Sequence, residues 1–160
     1  MKKFIIEIKW GFIFIITNLL WAYFEKTMGW HNELIHKHPL YTNFFAFIAI
    51  GIYLLALAEK RKKIFNGIMS WQQGFVSGIV LTVVITILSP LSQYLINEVI
   101  SPEYFNNIIA YSTEKGKMSR ENAEAFFNLK SYILQGIFMA LALGVVTSAF
   151  AAYILKRKKN

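Results

Sequence analysis

The stretch HNELIHKH, residues 31–38, brings the three histidines of the chain within reach of one glutamate: His31, Glu33, His36 and His38. Imidazole and carboxylate are the donors that hold zinc or copper, so a metal could sit here. Their spacing matches no specific ligand motif, and no cysteine exists to complete a thiolate set. No metal and no other cofactor is therefore expected, and these four residues are the metal candidates. Nucleophilic catalysis has less support. A serine needs a base in reach, the chain has no aspartate, and its long apolar stretches carry no ionisable residue. No catalytic residue is assigned, and an enzyme is not expected.

The elements that must position such residues follow from where charge is missing. Residues 10–24, 39–58, 64–97 and 131–155 are free of Asp, Glu, Lys and Arg. About 20 helical residues cross a bilayer's hydrocarbon core, and the last three windows reach that length alone. The first reaches it if Lys9 snorkels and Glu25 and Lys26 lie among the headgroups. The expected fold is all-α and polytopic, one membrane domain over 1–160 with spans at about 4–27, 39–58, 70–97 and 131–155. No small-x-small cleavage site follows the first apolar run, so that helix is expected to stay as an anchor.

The charge of +8 is distributed unevenly. Lys2, Lys3 and Lys9, the loop EKRKK (59–63) and the final KRKK (156–159) hold 11 of the 17 basic residues, with only Glu7 and Glu59 among the acids. The positive-inside rule then places both termini and the 59–63 loop in the cytoplasm of a bacterial inner-membrane, multi-pass protein. The lipid bilayer accounts for this basic excess. Nucleic acid does not, because no separate soluble basic domain is present.

The third window is too long for a simple span: its 34 residues would make about 51 Å of helix against about 30 Å of hydrocarbon. Pro90 lies inside it and is expected to bend the helix near its outer end, freeing the carbonyl of Thr86 for Ser89 or Ser92. Ser101 and Pro102 read as an N-cap and first residue of a new helix. That helix, a turn ending at Gly116 and a second helix capped by Ser119 form an extracytoplasmic hairpin at about 99–130. From Arg120 the chain is expected to run as one helix into the fourth span.

Two stripes recur at four-residue spacing: Ser70, Gly74, Gly78, Thr82 and Thr86, then Gly136, Ala140, Gly144, Ser148 and Ala152. Small residues at this interval let helix backbones approach closely where no hydrophobic force drives association. They predict packing of the third span on the fourth, or a homodimer seam. Asn18, Gln93 and Thr86 could instead line a polar path, which in so small a bundle requires oligomers.

The order of parts, with GFVSGIVLTVV on the third span, SPLSQYLINEVISPEYF at its outer end and EKGKMSRENAEAFF before a glycine-rich last span, resembles the bacterial family known as domain of unknown function 4199, DUF4199. The resemblance covers nearly the whole chain. It implies a small four-helix inner-membrane protein without an established activity, with genes often near polyprenol-phosphate glycosyltransferases. The expected function is a non-enzymatic accessory or scaffold subunit that binds another membrane protein. A small oligomeric transporter or channel for a small solute is the alternative.

Overall fold

The computed structural model describes residues 4–157. Lys2, Lys3, Lys158 and Lys159, part of the expected basic face, lie outside them. Among the described residues, six helices longer than a single turn form: α1 (Ile5–Thr27), α2 (Phe45–Lys63), α3 (Trp71–Tyr94), α4 (Tyr104–Glu114), α5 (Arg120–Phe126) and α6 (Leu129–Leu155). Four segments are long and apolar enough to cross a membrane: Ile5–Thr27, Ile35–Lys63, Trp71–Ile100 and Leu129–Leu155. The fold is all-α and polytopic, with a helical hairpin, α4 and α5, between the third and fourth spans.

The four long helices form a bundle in which α3 packs most extensively on α6 and next on α1. Gly78 faces Ser148, and a Cβ added to it would stand 2.6 Å from the Ser148 Cβ; one added to Gly74 would stand 3.0 Å from the Cβ of Ala152. Gly144 likewise faces the side chains of Thr82 and Tyr53. Gly136 instead faces Gln93, while Ala140 borders the main apolar cluster. The close approach allows polar groups to bridge helices: Tyr53 Oη lies 2.8 Å from Thr82 Oγ1, which lies 3.3 Å from Ser148 Oγ. Such interhelical hydrogen bonds contribute about 0.6 kcal/mol each within a bilayer. Leu57, Leu81, Ala151 and Ala152, all fully enclosed, fill the bundle toward the end where α1 begins and α6 ends. We call that end basic and the opposite end distal.

Several local expectations are corrected. EKRKK is not a loop but the last turns of α2, where cations suit the negative end of the helix dipole. Within it Lys60 is buried and pairs with Glu7 at 2.7 Å, and Ser77 Oγ donates to the same Glu7 oxygen at 2.6 Å. Ionisable groups are thus buried in the bundle, near its ends and outside the charge-free windows. The second span begins before Pro39, through short helical turns over 35–44. The third opens on Ser70, whose Oγ accepts from the Gln73 N–H while Gln73 Oε1 accepts from the Ser70 N–H. Pro90 lies inside α3, and Ser89 Oγ donates to the Thr86 carbonyl at 2.9 Å.

Beyond Tyr94 the helix loosens into a π-helical turn, Leu95–Ile100, closed by a bond from Ser101 N to the Ile96 carbonyl. Gly116 ends the α4 region at φ 63°, and Ser119 Oγ accepts from Asn122 N at the start of α5. The single helix expected from Arg120 onward is broken. α5 stops at Phe126, Phe127 leaves helical geometry, and Asn128 starts α6 by accepting from Ser131 N at 2.9 Å. An asparagine that can cap competes with helix continuation at that position.

Candidate metal centre

At the distal end α1, the turns before α2, the end of the third span, α4 and the first turn of α6 converge. Glu25 sits in the last turns of α1, with 3% of its surface exposed. The chain then reverses through Gly29, whose φ of 77° is readily adopted only by glycine, and this places His31, 2% exposed, back against the same bundle end. His38 follows at the start of the short helical turn before α2. Together these three residues can offer a metal one carboxylate oxygen and two imidazole nitrogens, all within 4.8 Å of one another.

The remaining atoms of these groups are held from outside. Ser101 Oγ lies 2.6 Å from His31 Nδ1, and Tyr104 Oη lies 3.2 Å from His38 Nδ1. Trp21 Nε1 donates to Glu25 Oε1 at 2.9 Å. The Nε2 atoms of His31 and His38 both turn toward Glu25 Oε2, at 3.4 and 3.7 Å. Asn107 Nδ2, from α4, donates to the His31 carbonyl, and Lys26 Nζ donates to the Ile100 carbonyl, so the hairpin is tied to the turn after α1 and the π-helical turn to α1 itself. The His31, His38 and Tyr104 rings pack edgewise on one another, with centroids 5.0 to 5.2 Å apart. Tyr104 Oη also lies 3.2 Å from Tyr132 Oη. Burial, then the neighbouring Tyr132, pushes the Tyr104 hydroxyl far above the usual phenol range, so it keeps its proton as a hydrogen-bonding group.

The four expected metal candidates therefore divide. His31 and His38 meet; Glu33 and His36 are exposed on the other side of the turn, away from them. Glu25 takes the carboxylate place. Its position next to Lys26 in the charge pattern suits a headgroup-level residue, but it lies one turn after buried Ala22 on the inward face of α1, and the reversal at Gly29 brings His31 to it. Ser101 and Pro102 do not start α4 as expected, because the Ser101 hydroxyl is engaged by His31 and α4 begins at Tyr104.

A cavity of about 180 Å³ opens beside the three residues, bordered on its inner side by Asn18, Gln93 and Asn97. Asn18 Nδ2 donates to Ser92 Oγ, and Asn97 Nδ2 to the Gln93 carbonyl and side chain. A second cavity, about 370 Å³, shares Asn18, Thr42, Phe45 and Gln93 with the first and continues into the bundle between α2 and α6. Its walls are mostly apolar, and Ala46, Met139 and Leu143 on its rim are exposed on the bundle surface.

Residues 9–157 match the family described as a protein of unknown function, DUF4199. The chain belongs to that family. No curated protein and no solved structure matches the chain. The chemistry of this DUF4199 protein must accordingly be read from its own residues.

Proposed function

We propose that this DUF4199 protein is a membrane-embedded binding subunit that takes up a single-chain amphiphile. The polar head would occupy the distal cavity beside Asn18, Gln93 and Asn97, and the chain would lie in the groove between α2 and α6. The observation that carries this reading is the wall the two cavities share: Asn18, Thr42, Phe45 and Gln93 border both a chamber at the bundle end that also holds Glu25, His31 and Asn97 and a more apolar groove with a rim on the lipid-facing surface. A lipid with a polar head has that sequence of environments along its length. The basic end would face the cytoplasm of a bacterial inner membrane, which puts the polar chamber at the outer leaflet.

This reading suits the accessory role implied by the family resemblance. A polyprenol-phosphate glycosyltransferase would be a fitting partner, since its lipid-linked substrate is an amphiphile. The stripe residues face one another inside a single chain, so a homodimer would use another surface. A transporter or channel is less well supported, because Tyr53, which lines the groove, is tied through Thr82 to Ser148, and Leu57 and Leu81 are fully enclosed in the bundle.

The test is photolabelling in nanodiscs with a single-chain lipid bearing a diazirine in its chain. Label is expected on residues 46–49 and 139–143, and an Ala49→Phe variant, which fills the groove, should lose it. Labelling spread evenly over the exposed helix faces, or unchanged by Ala49→Phe, would overturn the reading.

A further inference from the structure

We propose that Glu25, His31 and His38 hold one divalent transition-metal ion, zinc by preference, at the distal end of the bundle. Two imidazoles and one carboxylate with open positions are a donor set that zinc adopts in many proteins, and one that iron(II) also uses. The three side chains border the cavity proposed for the amphiphile's head, but the ion would be held with or without a lipid in that cavity.

The distances among the three groups suit a shared ion. A charge-assisted hydrogen bond between imidazolium and carboxylate is drawn in to about 2.7–2.9 Å. The two Nε2 atoms stand at 3.4 and 3.7 Å from Glu25 Oε2, ion-pair contacts longer than that. Ligand atoms held about 2.05 Å from a tetrahedral ion are about 3.3 Å apart, so both separations fit edges of a coordination polyhedron. The two imidazole nitrogens, within 4.8 Å of each other, need to close by about 1.5 Å at most to complete it.

The supporting groups agree. Metal-bound histidine gives its Nε2 lone pair to the ion and donates its Nδ1–H to a fixed acceptor. Both histidines have that second partner in place, Ser101 Oγ for His31 and Tyr104 Oη for His38, and both point Nε2 at the carboxylate. Trp21 fixes the other Glu25 oxygen. Glu25 and His31 are almost wholly enclosed, and burying a carboxylate away from water is costly unless a cation answers it. The side of the triad left open faces the distal cavity, which supplies room for water or another ligand in the remaining positions.

The experiment measures metal content of the full chain purified in mild detergent without chelators, after expression with added zinc. One zinc per chain is expected, removable by a chelator and replaceable by cobalt(II) with the intense visible absorption of a low-coordinate site. Glu25→Gln should lower affinity by more than about 100-fold, beyond the effect of losing a supporting group. If that variant fails to fold, His38→Gln serves instead, because the His38 side chain is 17% exposed at the cavity rim. His36→Gln and Glu33→Gln should retain full metal. A folded wild-type chain that binds zinc, cobalt and copper only substoichiometrically would overturn the site. So would an equal loss in the His36→Gln or Glu33→Gln controls.

Discussion

The hydroxyl of Ser101 lies 2.6 Å from Nδ1 of His31, joining the end of the third span to the turn that follows the first across 70 residues of sequence. In a metal-bound state that contact fixes which imidazole nitrogen carries the proton. Ser101→Ala should therefore lower zinc affinity by about 10–100-fold, as loss of a supporting partner does. Competition with a fluorescent zinc chelator measures it. Ser101→Thr, which keeps the hydroxyl, should restore most of the affinity, and Pro102→Ala should change it little.

At the basic end, Lys60→Met should be more damaging than either charge would suggest on a surface. It leaves Glu7, 2% exposed, facing Ser77 without the lysine, and breaking one side of a buried pair costs about 3–5 kcal/mol. The double change Glu7→Gln with Lys60→Met removes the orphaned charge and should recover most of the loss. Thermal denaturation of the three variants in detergent compares them.

The α3–α6 contact gives a steric prediction. Gly78→Val drives its side chain into Ser148, whose Cα would stand 3.0 Å from the new Cβ. Overpacking of this kind costs about 1–3 kcal/mol, seen as a lower melting temperature and a faster loss of monodispersity. Gly51→Val, with nothing within 4 Å of the added Cβ, is the matched control and should not lower the melting temperature.

Orientation can be tested directly because the chain contains no cysteine. Lys115→Cys at the exposed tip of the hairpin should react with a membrane-impermeant maleimide on intact cells. Lys62→Cys at the basic end should react only after permeabilisation. The opposite pattern would reverse the proposed topology.

The spans were legible because charge in hydrocarbon is so unfavourable that its absence marks them, and Gly116 and Ser119 were legible because a helix stop and a cap are local signals. The centre was only half legible. His31 and His38 stood out as residue types, but pairing them with Glu25 requires the reversal at Gly29, and separating them from Glu33 and His36 requires the phase of the turns that follow. Ser101 carried a true local signal for a cap, which a distant histidine outcompeted. Lys60 was hidden among like neighbours, as nothing in EKRKK marks one lysine as turned inward. Asn128, within FFNLK, reads as continuing helix until its side chain is seen to cap the next one.

That cap has a mechanical consequence. A continuous helix from Arg120 to Leu155 would act as a rigid lever, carrying any push on the hairpin straight down the last span. With the backbone ladder interrupted at Phe127 and Asn128, force on the cover passes to α6 largely through the side chains gathered around Tyr132, where Phe105 and Phe127 pack on its ring and Tyr104 meets its hydroxyl. Tyr104 also holds His38. The transmission between cover and bundle therefore runs beside the chemically richest point of the protein, and its stiffness is set by a handful of aromatic contacts.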